Sequence, residues 1–136
     1  MKTLTDSDRP ESITLDVGGR RVVFARVVGD QYASELDGTR VPIRTTREVI
    51  EYGRLRPATV CEGESANIDT LLHCLAWGAV AQPVPVRESP HGVALYASEN
   101  WGHYRQWTYL TITVTITPGG MVEIHERIDE MDESYY

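Results

Sequence analysis

Four polar pairs on one predicted hairpin are the residues best placed to do chemistry. Closing a turn at Pro118-Gly119-Gly120 aligns Thr115 with Glu123, Thr113 with His125, Thr111 with Arg127 and Tyr109 with Asp129, because side chains on one face of a strand recur at every second residue. Hydroxyl, imidazole, guanidinium and carboxylate groups then share a surface, which suits a polar binding plate or general acid–base work around His125. The same row also suits the wet side of a half-buried antiparallel sheet, where threonine is favoured and each ion pair contributes only about a few tenths of a kcal/mol.

Trp101, His103, Tyr104, Trp107 and Tyr109, with Arg105 among them, form the densest aromatic stretch. Such side chains dominate protein interfaces and can stack unpaired bases, or can fill a core. Other chemistries lack their residues. Lys2 is the only lysine against twelve arginines, so neither a phosphate loop ending in Gly-Lys nor a Schiff base is expected. His125-Glu126 lacks the second histidine of a zincin helix, and no Gly-x-Ser-x-Gly elbow occurs. A zinc site from Cys61, His73, His91 and His103 would need unrelated segments to converge, and the thirteen-residue spacing of Cys61 and Cys74 suggests reduced thiols. No metal or cofactor is expected.

Charge is the other candidate for function. From Met121 to Tyr136, six acids face Arg127 alone, which places −5 of the total −7 in sixteen residues. Residues 20 to 56 carry eight arginines against five acids, a balance of +3. The acidic end therefore predicts attraction to a basic surface, or contact with the arginine-rich segment within one molecule or between two copies in a homodimer. On this reading Trp101, Tyr104, Trp107, Glu123, Glu126, Asp129, Glu130, Asp132 and Glu133 form a partner-binding set. The expected function is that of a small non-catalytic protein-binding module occupying a basic, nucleic-acid-binding surface of its partner. Its sharpest form is a nucleic-acid mimic that inhibits a host nuclease or defence complex, of the kind a phage or mobile element carries. Two alternatives are a small enzyme or ligand-binding protein with a helix–sheet pocket, and an arginine and aromatic nucleic-acid binder, which the overall negative charge opposes.

The elements that must position these residues read as an α+β fold. Turns at Gly18-Gly19, Gly29-Asp30 and Asp37-Gly38 predict an N-terminal four-stranded antiparallel meander over residues 13 to 44, with Leu15 opposite Val22, Ile13 opposite Phe24, Asp16 opposite Arg21, Glu35 opposite Arg40 and Tyr32 opposite Ile43. Pro42 cannot donate to a ladder and places the fourth strand at an edge. Thr45 and Glu48 have capping-box spacing and Gly53 suits a stop, which predicts a short helix at about 46 to 52. Ile68, Leu71, Leu72, Leu75, Ala76 and Ala79 recur at helical spacing behind Ser65 or Asn67, which predicts a long helix at about 66 to 80.

Thr108 to Thr117 alternates without error and predicts a C-terminal antiparallel sheet with a hairpin at about 104 to 128, in which Leu110 meets Ile128, Val114 meets Ile124 and Ile116 meets Val122. Ile112 opposite Glu126 is the single mismatch.

A chain of 136 residues, 41% hydrophobic and 24% charged, fits a single domain spanning 1 to 136, with 1 to 11 frayed and 129 to 136 an acidic tail. No apolar run approaches the ~20 residues of a membrane span, and the polar N-terminus is unlike a secretory signal, so a cytoplasmic location is expected.

Overall fold

Strand alternation organises this molecule far beyond the hairpin in which it is easiest to read. The computed structural model describes residues 4–83, 92–100 and 106–132. Its first sheet contains β1 (Ser12–Val17), β2 (Arg20–Val28), β3 (Gln31–Leu36) and β4 (Thr39–Val41) in that order. Its second contains β5 (Ile43–Glu51), β6 (Arg54–Leu55), β7 (Thr59–Gly63), β9 (Gln82–Pro83), β10 (Gly92–Asn100), β11 (Gln106–Ile116) and β12 (Val122–Asp132). That sheet runs β6-β5-β12-β11-β10-β9, with β7 also on β5. The short β8 (Ala66–Asn67) joins β3, and α1 (Asp69–Ala76) follows it and packs on β10 and β11.

The α+β expectation with two helices is therefore corrected: the chain is mostly β, in two sheets, and α1 is the only helix longer than one turn among the described residues. The segment expected as a helix at 46 to 52 is strand β5. Its Ile43, Thr45, Thr46, Val49 and Ile50 are β-branched, a type that packs well on a pleated surface. It also finds ladder partners on both sides. β12 runs parallel to it, with Ile43 beside Val122, Thr45 beside Ile124 and Val49 beside Ile128. β7 covers the opposite edge from Ile43 to Arg47. Two ladders of hydrogen bonds outweigh the local capping signal of Thr45 and Glu48. The Tyr52-Gly53 pair, with φ of 49° and 84°, turns the chain from β5 into β6 instead of ending a helix.

Pro42 marks the passage between sheets. β4 ends at Val41, the Pro42 carbonyl accepts from the Val122 amide at 3.2 Å, and Ile43 lies opposite Val122 and Gly63, so Tyr32 pairs with Ala66 and not with Ile43. The long helix is also shorter than its apolar spacing predicts, because Ala66 and Asn67 are spent on pairing with β3. At its start Asn67 Oδ1 accepts the Asp69 amide at 2.9 Å. At its end Gly78 takes φ 83°, and the Gly78 and Ala79 amides bond back to the Leu75 and Cys74 carbonyls, a Schellman stop.

The two faces of the sandwich meet in one core. Leu15, Val17, Val22, Phe24 and Leu36 from the first sheet and Leu95, Leu110, Ile112, Val114, Ile116, Val122 and Ile124 from the second are buried together with Leu71, Leu72 and Cys74 of α1. Each such side chain contributes about 1.5–3 kcal/mol by leaving water. Among the described residues no helix is long and apolar enough to cross a membrane.

Candidate functional site

The mismatch of Ile112 with Glu126 sits at the edge of that core. Alternation along β12 sends Val122, Ile124, Glu126 and Ile128 inward, which leaves the Glu126 carboxylate on the buried face with 2% of its side chain exposed. Stripping water from a lone carboxylate costs several kcal/mol, so it needs a partner. The parallel register supplies Arg47 beside it: Arg47 Nε donates to Glu126 Oε2 at 2.8 Å, and Nη2 donates to the buried Thr70 Oγ1 on α1 at 3.3 Å. One charge pair thus ties β5, β12 and the helix together.

Arg47 is not buried with its partner; 43% of its side chain remains exposed. It faces a half-open cavity of about 610 Å³ that Thr45, Thr59, Asn67, Asp69 and His73 also line, with Glu126 in its wall. A second network holds another part of the lining. Arg9 forks onto Asp69 through Nε and Nη2 at 3.1 and 2.9 Å and reaches Asp6 at 2.9 Å. Its hydrogen bonds to Asp69 hold that guanidinium in its charged form above its ordinary range. Asn67 Nδ2 donates to Asp30 at 3.0 Å, and the side-chain bonds from Gln31 and Asn67 lower the Asp30 carboxyl below its usual value. Part of the segment read as a frayed terminus is tied to the fold through Asp6, Arg9 and Pro10, whose carbonyl accepts the Tyr32 hydroxyl hydrogen. Leu4 reaches the cavity wall.

The residues singled out from sequence are distributed between two faces. The hairpin register of β11 and β12 matches the expectation at every named pair, so Tyr109, Thr111, Thr113, Thr115, Glu123, His125, Arg127 and Asp129 share the outer face of the second sheet. β5 brings one counter-charge and one further acid to that face: Arg44 Nη1 lies 3.7 Å from Glu123, and Glu48 lies 3.3 Å from His125 Nε2. Glu126 is turned to the inner face, towards Arg47. Asp129 and Glu130 belong to β12 as half-buried strand residues, Asp132 ends that strand opposite Gln106, and among the described residues no ion pair reaches Asp129 or Glu130. Trp107 stacks on Tyr109 with ring centroids 6.1 Å apart. Trp101, Tyr104 and Glu133 lie outside the described residues, as do His91 and His103. Among the described residues, no group of three or more His, Cys, Asp or Glu side chains is placed to hold a metal ion.

Arg47, Thr70, Asn67 and Asp69 escaped the sequence reading as site residues. The signal pointing to them was the one carboxylate out of phase in an apolar alternation, and its arginine lies on a strand 79 positions away in the chain.

The two thiols differ sharply. Cys61 is exposed on β7 at the cavity rim, whereas burial, and then the nearby Glu126 charge, push the Cys74 thiol up to about 12. At pH 8 a chromogenic disulfide reagent will titrate one thiol of the native protein quickly and the second only after denaturation; two fast thiols would contradict this packing. The linkage has a definite sign. The folded state holds the Cys74 proton more tightly than the unfolded chain does, so this contribution to stability is full below about pH 8.5 and is lost as pH rises towards 12, at up to about 1.4 kcal/mol per pH unit. Urea midpoints measured from pH 8 to 11 will fall, and the fall will be shallower in Cys74→Ala.

Comparison of the chain with protein-family models, with curated proteins and with solved structures finds no match.

Proposed function

We propose that the protein is a non-catalytic binding protein for a small polar molecule, held in the cavity between the two sheets and α1. The observation that carries this reading is the buried Glu126 carboxylate fastened to a half-exposed Arg47 at the cavity wall. An apolar pair at these positions would fill the core at no electrostatic cost, and the charged pair is useful where it aims a guanidinium into a space that a ligand enters. A volume of about 610 Å³ is of the size that small-molecule sites have. Binding is favoured over catalysis because Glu126 Oε2 accepts from a guanidinium and not from a hydroxyl or thiol that it would activate.

Titration with millimolar mixtures of small polar metabolites, followed by amide correlation spectra, tests the reading. The expected result is a set of shifts centred on Thr45, Arg47, Asn67, His73 and Glu126, accompanied by a stability gain of about 2.7 kcal/mol at one hundred times Kd. Mixtures that leave those amides unmoved would count against it.

A second reading keeps the acidic end as a surface for a basic protein partner in the cytoplasm, with a nucleic-acid-mimicking inhibitor as its sharpest form. It is favoured by Asp129 and Glu130, half-exposed and without ion pairs among the described residues, with Glu51 beside Glu130 in the register. It is weakened by Arg44 and Arg47, which take up Glu123 and Glu126. If it holds, neutralising Asp129, Glu130, Asp132 and Glu133 together will weaken capture of a basic partner at least tenfold and flatten the salt dependence of binding. Unchanged affinity in that variant would remove it.

A further inference from the structure

We propose that Arg47 is the receptor for the carboxylate of a small organic acid, taken end-on by Nη1 and Nη2. This rests on the cavity being a ligand site and adds the class of ligand. A guanidinium has five N–H donors in a rigid plane. Here Nε is committed to Glu126 at 2.8 Å and one Nη2 hydrogen to Thr70 at 3.3 Å, while Nη1 donates to none of the described residues. The two bonds fix the plane, and with Nε and one Nη2 hydrogen engaged, the end-on edge formed by Nη1 and the second Nη2 hydrogen is the part of this 43%-exposed side chain left for a ligand. That edge has the geometry of a bidentate carboxylate or phosphate contact.

The neighbours narrow the choice. Thr59, Arg47 and Glu126 lie side by side across β7, β5 and β12, and Thr45 is two residues before Arg47 on the same inner face. Threonine hydroxyls that flank the fork can donate to a bound oxygen or accept from the rest of a ligand. The negative charge of Glu126 on Arg47 Nε disfavours a dianion more than a single carboxylate, while Asp69 in the same lining is already compensated by Arg9. A planar monoanion sharing Arg47 with Glu126 leaves one net negative charge on that trio; a phosphate dianion leaves two.

Four probes separate the outcomes: N-acetylglycine as a carboxylate, inorganic phosphate, glucose as a neutral polyol and ethylammonium as a cation. Each is titrated against the full chain, following the Arg47 Nε resonance and the amides of Thr45 and Thr59. N-acetylglycine is expected to shift all three, to bind at least tenfold more weakly to Arg47→Lys, which keeps the charge and loses the fork, and several-fold more weakly to Thr59→Val. Retained amide dispersion in both variants shows that they are folded, so the loss reports on the site. Tighter binding of phosphate than of N-acetylglycine would overturn the carboxylate assignment. Shifts from glucose or ethylammonium alone, indifferent to Arg47→Lys, would overturn Arg47 as receptor and leave the cavity as a ligand site. If none of the probes moves these resonances, the carboxylate proposal falls, and the metabolite titration decides separately whether the cavity binds anything.

Discussion

Methionine in place of Arg47 will destabilise the protein by about 3–5 kcal/mol, whereas leucine in place of Glu126 will cost little or add stability. The asymmetry follows from where each charge sits. Glu126 has 2% of its side chain exposed, so Arg47→Met leaves a carboxylate without its partner inside the sandwich. Arg47 has 43% of its side chain exposed and recovers hydration through the cavity when Glu126 is replaced, while the leucine joins Ile112 and Ile124 on the apolar inner face. The double variant Arg47→Met with Glu126→Leu will therefore regain most of what Arg47→Met alone loses. Urea denaturation of the four proteins at pH 7 measures all three differences. Equal losses in the two single variants would show that the pair is valued for its geometry and not for compensating a buried charge.

That pair also marks the boundary of what the residues alone reveal. The hairpins β1-β2, β3-β4 and β11-β12 are legible because a turn type and a period of two determine a local register: Leu15 meets Val22, Glu35 meets Arg40, and Thr115 meets Glu123 as their spacing requires. The parallel pairing of β5 with β12 has no such local mark. It joins segments about eighty residues apart, and nothing in Ile43–Glu51 announces its partner. Three features of the sequence turn on this one pairing. Without β12, the capping-box spacing of Thr45 and Glu48 reads as a helix. Without β5, composition leaves open whether the carboxylates of residues 121 to 136 meet the arginine-rich segment or a partner, whereas the paired strands bring Arg44 to Glu123 and Arg47 to Glu126. Without that register, Glu126 opposite Ile112 is a blemish and not the wall of a cavity. The excess of arginine in residues 20 to 56 signalled where the opposing charge lay, but composition carries no register.

Proline at position 46 tests that pairing directly, because the two readings of residues 46 to 52 make opposite predictions for it. In a helix capped by Thr45, position 46 is the first helical residue, whose amide has no intrahelical partner, and proline is well tolerated there. In the structure Thr46 lies between His125 of β12 and Val60 of β7. With a strand on either side, its amide faces a ladder whichever way it points. Thr46→Pro removes that donor, orphans an acceptor and drives a ring into the adjacent strand, so a loss of about 3 kcal/mol or more is expected. The consequence reaches the cavity as well as the fold, for Arg47 follows immediately and owes its place beside Glu126 to the same register. Thr46→Val, which keeps the amide and the β-branched shape, will stay within about 1 kcal/mol of the parent. Urea midpoints of the two variants decide the matter: if Thr46→Pro unfolds at the parent's midpoint, β5 is not an interior strand, and the Arg47–Glu126 pair loses the register that creates it.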